Sequence, residues 1–226
     1  MIERLLPSAV VAVEAFGDVP GEPVFPGEEQ FVARAVDSRR REFVTARRCA
    51  RAALAEIGHA PVAIPRARRG APGWPAGVVG SITHCPGYRA AAVARSGDPA
   101  AIGIDAEPND PLPDDAGELV IIDEERDMLD RLRTTDPAVH WDRLLFSAKE
   151  SVFKAWYPLT RRELDFTEAR VDLDPVHERF TAGIRIDGTR LDGGAPLTRL
   201  NGRFLVSRGL VVTAVVVPGH PVSCTA

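Results

Sequence analysis

The chain has 226 residues, 45% hydrophobic and 27% charged, with a formal net charge of −4 at pH 7. That length supports a buried core as one domain or two small ones, and the balance excludes a disordered or fibrous chain. No stretch approaches the roughly 20 apolar residues of a membrane-spanning helix, and the apolar run at 9–13 has no basic flank and meets Glu14 at once, so a soluble cytoplasmic protein is expected.

In chain order, residues 9–16 read as a strand and 27–36 and 38–57 as helices, with Ser38 capping the second and Gly58 ending it. On that second helix Phe43, Ala50, Leu54 and Ile57 recur at helical spacing. Arg39 and Arg47 flank Phe43 one turn before and after, so both guanidinium groups border the apolar stripe. A loop rich in Pro, Gly and Arg at 59–77 leads to three short strands at 78–83, 89–95 and 101–107, the first two joined by Pro86-Gly87. Residues 108–115 read as a linker and divide the chain into halves, 1–108 and 109–226. Beyond it come a charged helix at 116–133 and another opened by Asp136 and Pro137 and closed by Pro158. Strands at 169–173, 179–187, 202–206 and 210–217 follow, the last two joined by a tight Ser207-Arg208-Gly209 turn. Helices first and strands afterwards in each half argue for an α+β protein rather than an alternating α/β one.

Charge is unevenly spread. From Arg34 to Arg69 there are ten arginines and three acids, whereas from Asp105 to Asp136 there are twelve acids and three arginines. A basic segment in an acidic chain points to a local anion site more than to nucleic acid, although a solvated helix face has the same composition. Cys49, Cys85 and Cys224 have neither metal-ligand nor disulfide-framework spacing and are expected to be reduced thiols. Lysine is nearly absent: of 28 basic residues only Lys149 and Lys154 are lysine, on either side of Glu150. Lysine is a compact charge able to give up a proton, whereas arginine stays protonated, so chemistry is expected in this segment.

Three short patterns carry it. Ile102-Gly103-Ile104-Asp105-Ala106-Glu107 alternates, which sets Asp105 and Glu107 side by side at a strand end, where they either face water or share a cation. Glu150 and Lys154 stand four apart on a helix, which alone means a surface ion pair of about 0.3–0.5 kcal/mol. Phe146, Phe153 and Tyr157, however, make that face apolar. Gly80-Ser81-Ile82-Thr83-His84 ends a strand in a turn, where a histidine near phosphate could donate a hydrogen bond or become cationic.

Taken together and in this order, Gly-Ser-Ile-Thr-His at 80–84, Gly-Ile-Asp-Ala-Glu at 103–107 and Phe-Ser-Ala-Lys-Glu-Ser-Val-Phe-Lys-Ala at 146–155 resemble the three motifs of the 4′-phosphopantetheinyl transferases. The resemblance is to the monomeric, surfactin-synthetase-activating type with Ala between the motif carboxylates. It implies two similar α+β halves with the active site in the cleft between them. It also implies Mg²⁺-dependent transfer of 4′-phosphopantetheine from coenzyme A to a serine of an apo acyl or peptidyl carrier protein, releasing 3′,5′-ADP. By the same resemblance Asp105, Glu107 and Glu150 would hold Mg²⁺, with Mn²⁺ as the alternative ion. Glu150 would serve as general base, directly or through a water, and Lys154 would stabilise or protonate the leaving phosphate. Arg39, Arg47 and the loop Arg66-Ala67-Arg68-Arg69 would grip the coenzyme A phosphates, with Thr83 and His84 at the nucleotide end. Lys149, Asp105, Glu150 and Lys154 would also lie against the coenzyme. Phe153, Trp156 and Tyr157 would line the pantetheine tunnel or the carrier-docking surface, or serve as core. A monomer without nucleic-acid or membrane partners is implied. Two other readings fit the residues: a coenzyme A-binding module without turnover, and a different Mg²⁺-dependent phosphoryl-transfer enzyme.

Overall fold

Alternating apolar residues and helical apolar stripes produce two helix-on-sheet units in a computed structural model that describes residues 1–97 and 99–219. The first unit contains β1 (Val11–Ala15), α1 (Asp37–Glu56), β2 (Val78–Cys85) and β3 (Tyr88–Arg95), with the antiparallel sheet ordered β1-β3-β2. The second contains β4 (Ala101–Pro108), α2 (Asp114–Val120), α3 (Asp123–Thr135), α4 (Trp141–Thr160), β5 (Ala169–Asp174), β6 (Arg179–Ile184), β7 (Arg199–Ser207) and β8 (Leu210–Val217). Its antiparallel sheet is ordered β4-β8-β7-β6-β5. The molecule is α+β, as the sequence indicates.

Strand β3 shows how the core is organised. Its side chains alternate between faces, so Ala91 and Val93 pack with Cys49, Ala50, Ala53 and Leu54 of α1, while Ala90, Ala92 and Ala94 pack with Ile102, Ile104 and Ala106 of β4. Helix α4 buries Leu144, Leu145, Ala148, Val152 and Trp156 against Val171, Phe180, Phe204 and Val215 of its own sheet. The two sheets meet where β2 runs beside β4. There the hydroxyls of Ser81 and Thr83 accept the backbone N–H groups of Ile104 (3.1 Å) and Ala106 (3.0 Å), satisfying donors that β8 does not reach.

Several local expectations are corrected. Residues 27–36 form no α-helix, only a short 3-10 turn at Glu29–Phe31. Glu28 is turned inward, fully buried, and its carboxylate accepts from Arg51 (2.7 Å) and the Ile64 N–H (2.8 Å), which fixes the segment as a loop. Helix α1 begins at Asp37 with Val36 in the cap position, so Ser38 lies inside it. Its end is as expected: Gly58 takes a positive φ, and Gly58 and His59 N–H groups bond back to Ala55 and Leu54 carbonyls. The helix expected at 116–133 is two helices, broken at Ile121 and Ile122, where the Glu125 side chain accepts the Ile122 N–H. Asp136 and Pro137 belong to the turn after α3; Asp136 accepts the Ala138 N–H, and α4 starts only at Trp141. Pro158 sits within the last turn of α4, which runs on to Thr160 and stops at Arg161 in a left-handed conformation. Strand β6 ends at Ile184, short of 187, with one further bond from the Arg185 N–H to the Glu168 carbonyl. Strand β4, assigned to the first half by its position before the linker, is an edge strand of the second sheet. Cys49 and Cys85 are buried free thiols, and Cys224 lies outside the described residues.

Candidate active site

The close approach of α4 to β4 depends on Gly103. A Cβ there would lie 1.9 Å from the Ser151 carbonyl oxygen, so only glycine lets the helix backbone rest on the strand. On the far side of that contact, Ser147 and Thr213 join α4 to β8 through a hydroxyl pair at 3.0 Å. The consequence is that Lys154 reaches the end of β4, donating to Asp105 Oδ1 (2.8 Å) and to the Ile104 carbonyl (3.1 Å). Thr83 donates to the same Asp105 oxygen at 3.3 Å. The carboxylate of Glu150, one turn before Lys154, makes no hydrogen bond among the described residues. Burial, and then the Asp105 charge, raise the Glu150 carboxyl above its ordinary value. Burial and Asp105 push Glu107 up to about 7, although Arg143 lies 3.3 Å from its carboxylate.

Three carboxylates from two elements therefore crowd one end of the cleft, with less positive charge than would neutralise them. Among the described residues no three His, Cys, Asp or Glu side chains already surround a single point as a cage. The donor set nevertheless suits Mg²⁺, which takes one or two carboxylates and completes its shell with phosphate oxygens and waters. The second oxygen of Asp105 is buried without a partner, which is the kind of unsatisfied acceptor such an ion would use.

A second region is basic. Arg39, Phe43, Arg47, Arg66, Gly70, Pro72, Ile82 and His84 line a cavity of about 600 Å³ together with the loop from Gln30 to Ala35. The Arg47 guanidinium stacks 3.5 Å above the centre of the Phe43 ring and donates to the Ile64 carbonyl at 3.0 Å. Burial is the main cause that lowers Arg47 to about 10, with Arg66, Arg51 and Arg39 adding repulsion against the attraction of Glu28. Arg39 touches the His84 ring at 2.9 Å and pairs with Glu42 at 3.0 Å. Burial, followed by the Arg39 charge, pushes His84 down to about 4, so it is a neutral hydrogen-bonding group near pH 7. Gly70, Pro72 and Ile82 also line a cavity of about 500 Å³ that extends past Trp74, Phe153 and Tyr157 to Glu150 and Lys154. The basic pocket and the acidic end thus share a wall.

Residues 27–94 match the model of the 4′-phosphopantetheinyl transferase N-terminal domain, and residues 101–192 that of the 4′-phosphopantetheinyl transferase superfamily. Over 220 residues the chain is 55% identical to 4′-phosphopantetheinyl transferase Svp of Streptomyces mobaraensis, covering 96% of this chain and 89% of that protein. It is 46% identical to 4′-phosphopantetheinyl transferase Npt of Nocardia iowensis, over 95% of this chain and 99% of the other. It is 44% identical to 4′-phosphopantetheinyl transferase PptT of Mycobacterium tuberculosis, over 96% and 97% of the two chains. The chain belongs to the 4′-phosphopantetheinyl transferase family.

Within this transferase the residues singled out by sequence fall into three sets. Arg39, Arg47, Arg66 and His84 meet at the basic cavity, while Asp105, Glu107, Glu150 and Lys154 meet at the acidic end. Ala67 and Arg69 line the cleft, with Arg69 paired across it to Glu163 at 2.6 Å; Arg68 is exposed beside them. Three further residues are buried and engaged by the protein itself. Lys149 is 3% exposed, and its ammonium is taken up by Glu125 and two backbone carbonyls. Thr83 is 2% exposed, and its hydroxyl serves β4 and Asp105. Trp156 is core, its indole N–H donating to the Arg162 carbonyl.

Gly103, Arg143, Trp74 and Arg161 also shape the site, and none of them carried a role in the sequence pattern. Gly103 opened the motif at 103–107, on the strand face of Asp105 and Glu107, with no role of its own attached, and Arg143 was one more arginine of a charged region. Trp74 lies against Gly80, where a Cβ would meet the ring at 2.8 Å, and its indole N–H donates to the Gly80 carbonyl at 2.9 Å. A tryptophan in a Pro/Gly loop was the available signal. Arg161 lines the cleft only because it terminates α4 in a left-handed conformation, which no pattern announces.

Proposed function

We propose that this transferase moves 4′-phosphopantetheine from coenzyme A to a serine hydroxyl of an apo acyl or peptidyl carrier protein, using Mg²⁺ or Mn²⁺, and releases 3′,5′-ADP. The observation that carries the residue assignments is the shared wall between the arginine cavity and the cavity reaching Glu150 and Lys154. A molecule with phosphates at one end and a long uncharged arm at the other fits those neighbouring environments. Arg39, Arg47 and Arg66 bind the nucleotide phosphates through the fork-shaped guanidinium group, with His84 as a neutral partner. The apolar walls given by Trp74, Phe153 and Tyr157 take the pantetheine arm and exclude water.

Asp105, Glu107 and Glu150 are the proposed metal donors; a bound ion would supply charge neutralisation at the pyrophosphate and help align it. In the reaction the serine oxygen forms a bond to the β-phosphorus of the pyrophosphate, and the bond from that phosphorus to the bridging oxygen breaks. Glu150 takes the serine proton, directly or through a water. Lys154, whose ammonium is anchored at Asp105, donates to the departing 3′,5′-ADP phosphate. The protein acts as a monomer in the cytoplasm in this reading; no helix among the described residues is long and apolar enough to cross a membrane.

The test is intact-mass analysis of an apo carrier protein incubated with coenzyme A, Mg²⁺ and this protein. Addition of phosphopantetheine is expected. Binding of coenzyme A without a mass change would favour a module without turnover, and release of free phosphate a different phosphoryl enzyme.

A further inference from the structure

Of the two lysines, Lys149 is the more completely held. The Lys149 ammonium has three N–H donors and three acceptors: Val120 O at 2.8 Å, Glu125 Oε2 at 2.9 Å and Phe166 O at 2.9 Å. Glu125, 1% exposed, also accepts the N–H groups of Ile122 (3.2 Å) and Val171 (2.8 Å). Five segments converge on this one buried pair: the end of α2, the first turn of α3, α4, the 3-10 turn at Phe166–Glu168, and β5. Each partner is satisfied, so the pair is a rigid cage and not a stray charge.

Its place on the helix gives the cage a consequence. Successive helical residues are turned by about 100°, so Glu150, with Lys154 on the same face, is flanked by Lys149 on one side and Ser151 on the other. On the Ser151 side α4 rests against Gly103 and Thr213. On the Lys149 side it is pinned by the cage. The Glu150 carboxylate has no hydrogen-bond partner among the described residues, so its direction follows the rotation of the helix that carries it.

We infer that Lys149 is a positioning residue for the transfer reaction: through the Glu125 cage it fixes the rotation of α4 that aims Glu150 at Asp105, and it makes no contact with coenzyme A. The inference rests on the proposed role of Glu150. It also explains why a chain that otherwise uses arginine keeps lysine here, because a planar five-donor guanidinium does not fit three acceptors arranged around one tetrahedral ammonium.

Removing Lys149 alone would strand a buried carboxylate and is strongly destabilising, so two other variants are used. The double variant Lys149→Met/Glu125→Gln removes both charges at once, and Lys149→Arg keeps the charge but not its shape. Coenzyme A affinity is measured by calorimetry, and kcat and KM with an apo carrier protein by intact mass. The expected result for both variants is a coenzyme A dissociation constant and KM within about twofold of the parent with kcat lowered at least about tenfold, the signature of a lost transition-state arrangement. A phosphate ligand would behave the other way: Lys149→Arg would keep its rate, and the double variant would lose coenzyme affinity. Either of those results, or an unchanged kcat in both variants, overturns the inference. A parent that leaves the carrier mass unchanged in the same assay overturns the proposed reaction and the inference together, whereas an active parent matched by its variants overturns the positioning role alone.

Discussion

At the scale of single residues, burial without compensation marks the site more clearly than residue type does. Asp105 is 5% exposed and shares one oxygen with Lys154 and Thr83 while the other has no partner. Thr83 is the hinge of this arrangement, since its hydroxyl accepts from Ala106 and donates to Asp105. Thr83→Val keeps the shape but leaves a buried N–H unmade, so a stability loss of about 1–3 kcal/mol is expected from chemical denaturation, with Thr83→Ser close to the parent. Equal stability of all three proteins would show that the hydroxyl is dispensable. His84 makes a pH prediction. Its folded value of about 4 lies below the ordinary 6.5, so the unfolded chain binds this proton more readily. Stability from this group is whole above about pH 6.5 and is lost as pH falls through about 4. His84→Gln should flatten part of the decline in melting temperature across that interval; an identical decline in parent and variant would contradict the burial of a neutral ring. The gathering of Asp105, Glu107, Glu150 and Lys154 was legible because their motifs are short and ordered. The hydrogen-bond partners of Lys149 and Thr83 were not, because a one-dimensional motif cannot say whether a polar side chain faces the cleft or the neighbouring element.

At the scale of elements, the α4–β4 contact brings the two motifs together. Gly103 is the point of closest approach, and a methyl group there would collide with the backbone of α4 at Ser151. Gly103→Ala should cost about 3 kcal/mol or more in stability, at the upper end for overpacking, and should lower transfer far more than coenzyme A binding, because Arg39 and Arg47 stand on a different helix. A variant with parental stability and rate would mean that α4 can yield without moving Glu150. The strands and long helices were readable from period and turn residues: Gly58 after α1 and Arg208-Gly209 between β7 and β8 both adopt the positive φ that their positions demand. The misread pieces share one cause, tertiary override of local pattern. Glu28 turns inward and prevents a helix at 27–36, and the carbonyl of Val120, held by Lys149, stabilises the break between α2 and α3.

At the scale of the whole molecule, the linear division of the chain and its spatial division differ. The linker at 108–115 looked like the boundary, yet β4 before it belongs to the second sheet, and the two matched family segments likewise part between 94 and 101. Asp105 and Glu150 therefore come from one sheet and the helix lying on it, while the arginine cavity comes chiefly from α1 and its loops. Pairing between strands distant in sequence, such as β4 with β8, is set by long-range packing and leaves no local trace. The charge asymmetry was legible, and only part of it serves the site: Arg39, Arg47 and Arg66 of the basic segment line the arginine cavity, whereas Asp123, Glu124 and Asp130 of the acidic segment pair with arginines at the surface.

The most direct measurement is calorimetric titration of coenzyme A into the protein, with Mg²⁺ and with chelator, for the parent and for Glu150→Gln. If the carboxylates of β4 and α4 hold a divalent ion against the pyrophosphate, Mg²⁺ should tighten binding to the parent, and the substitution should remove most of that gain while leaving metal-free affinity about the same. Coenzyme A binding that ignores Mg²⁺ and chelator alike would contradict it.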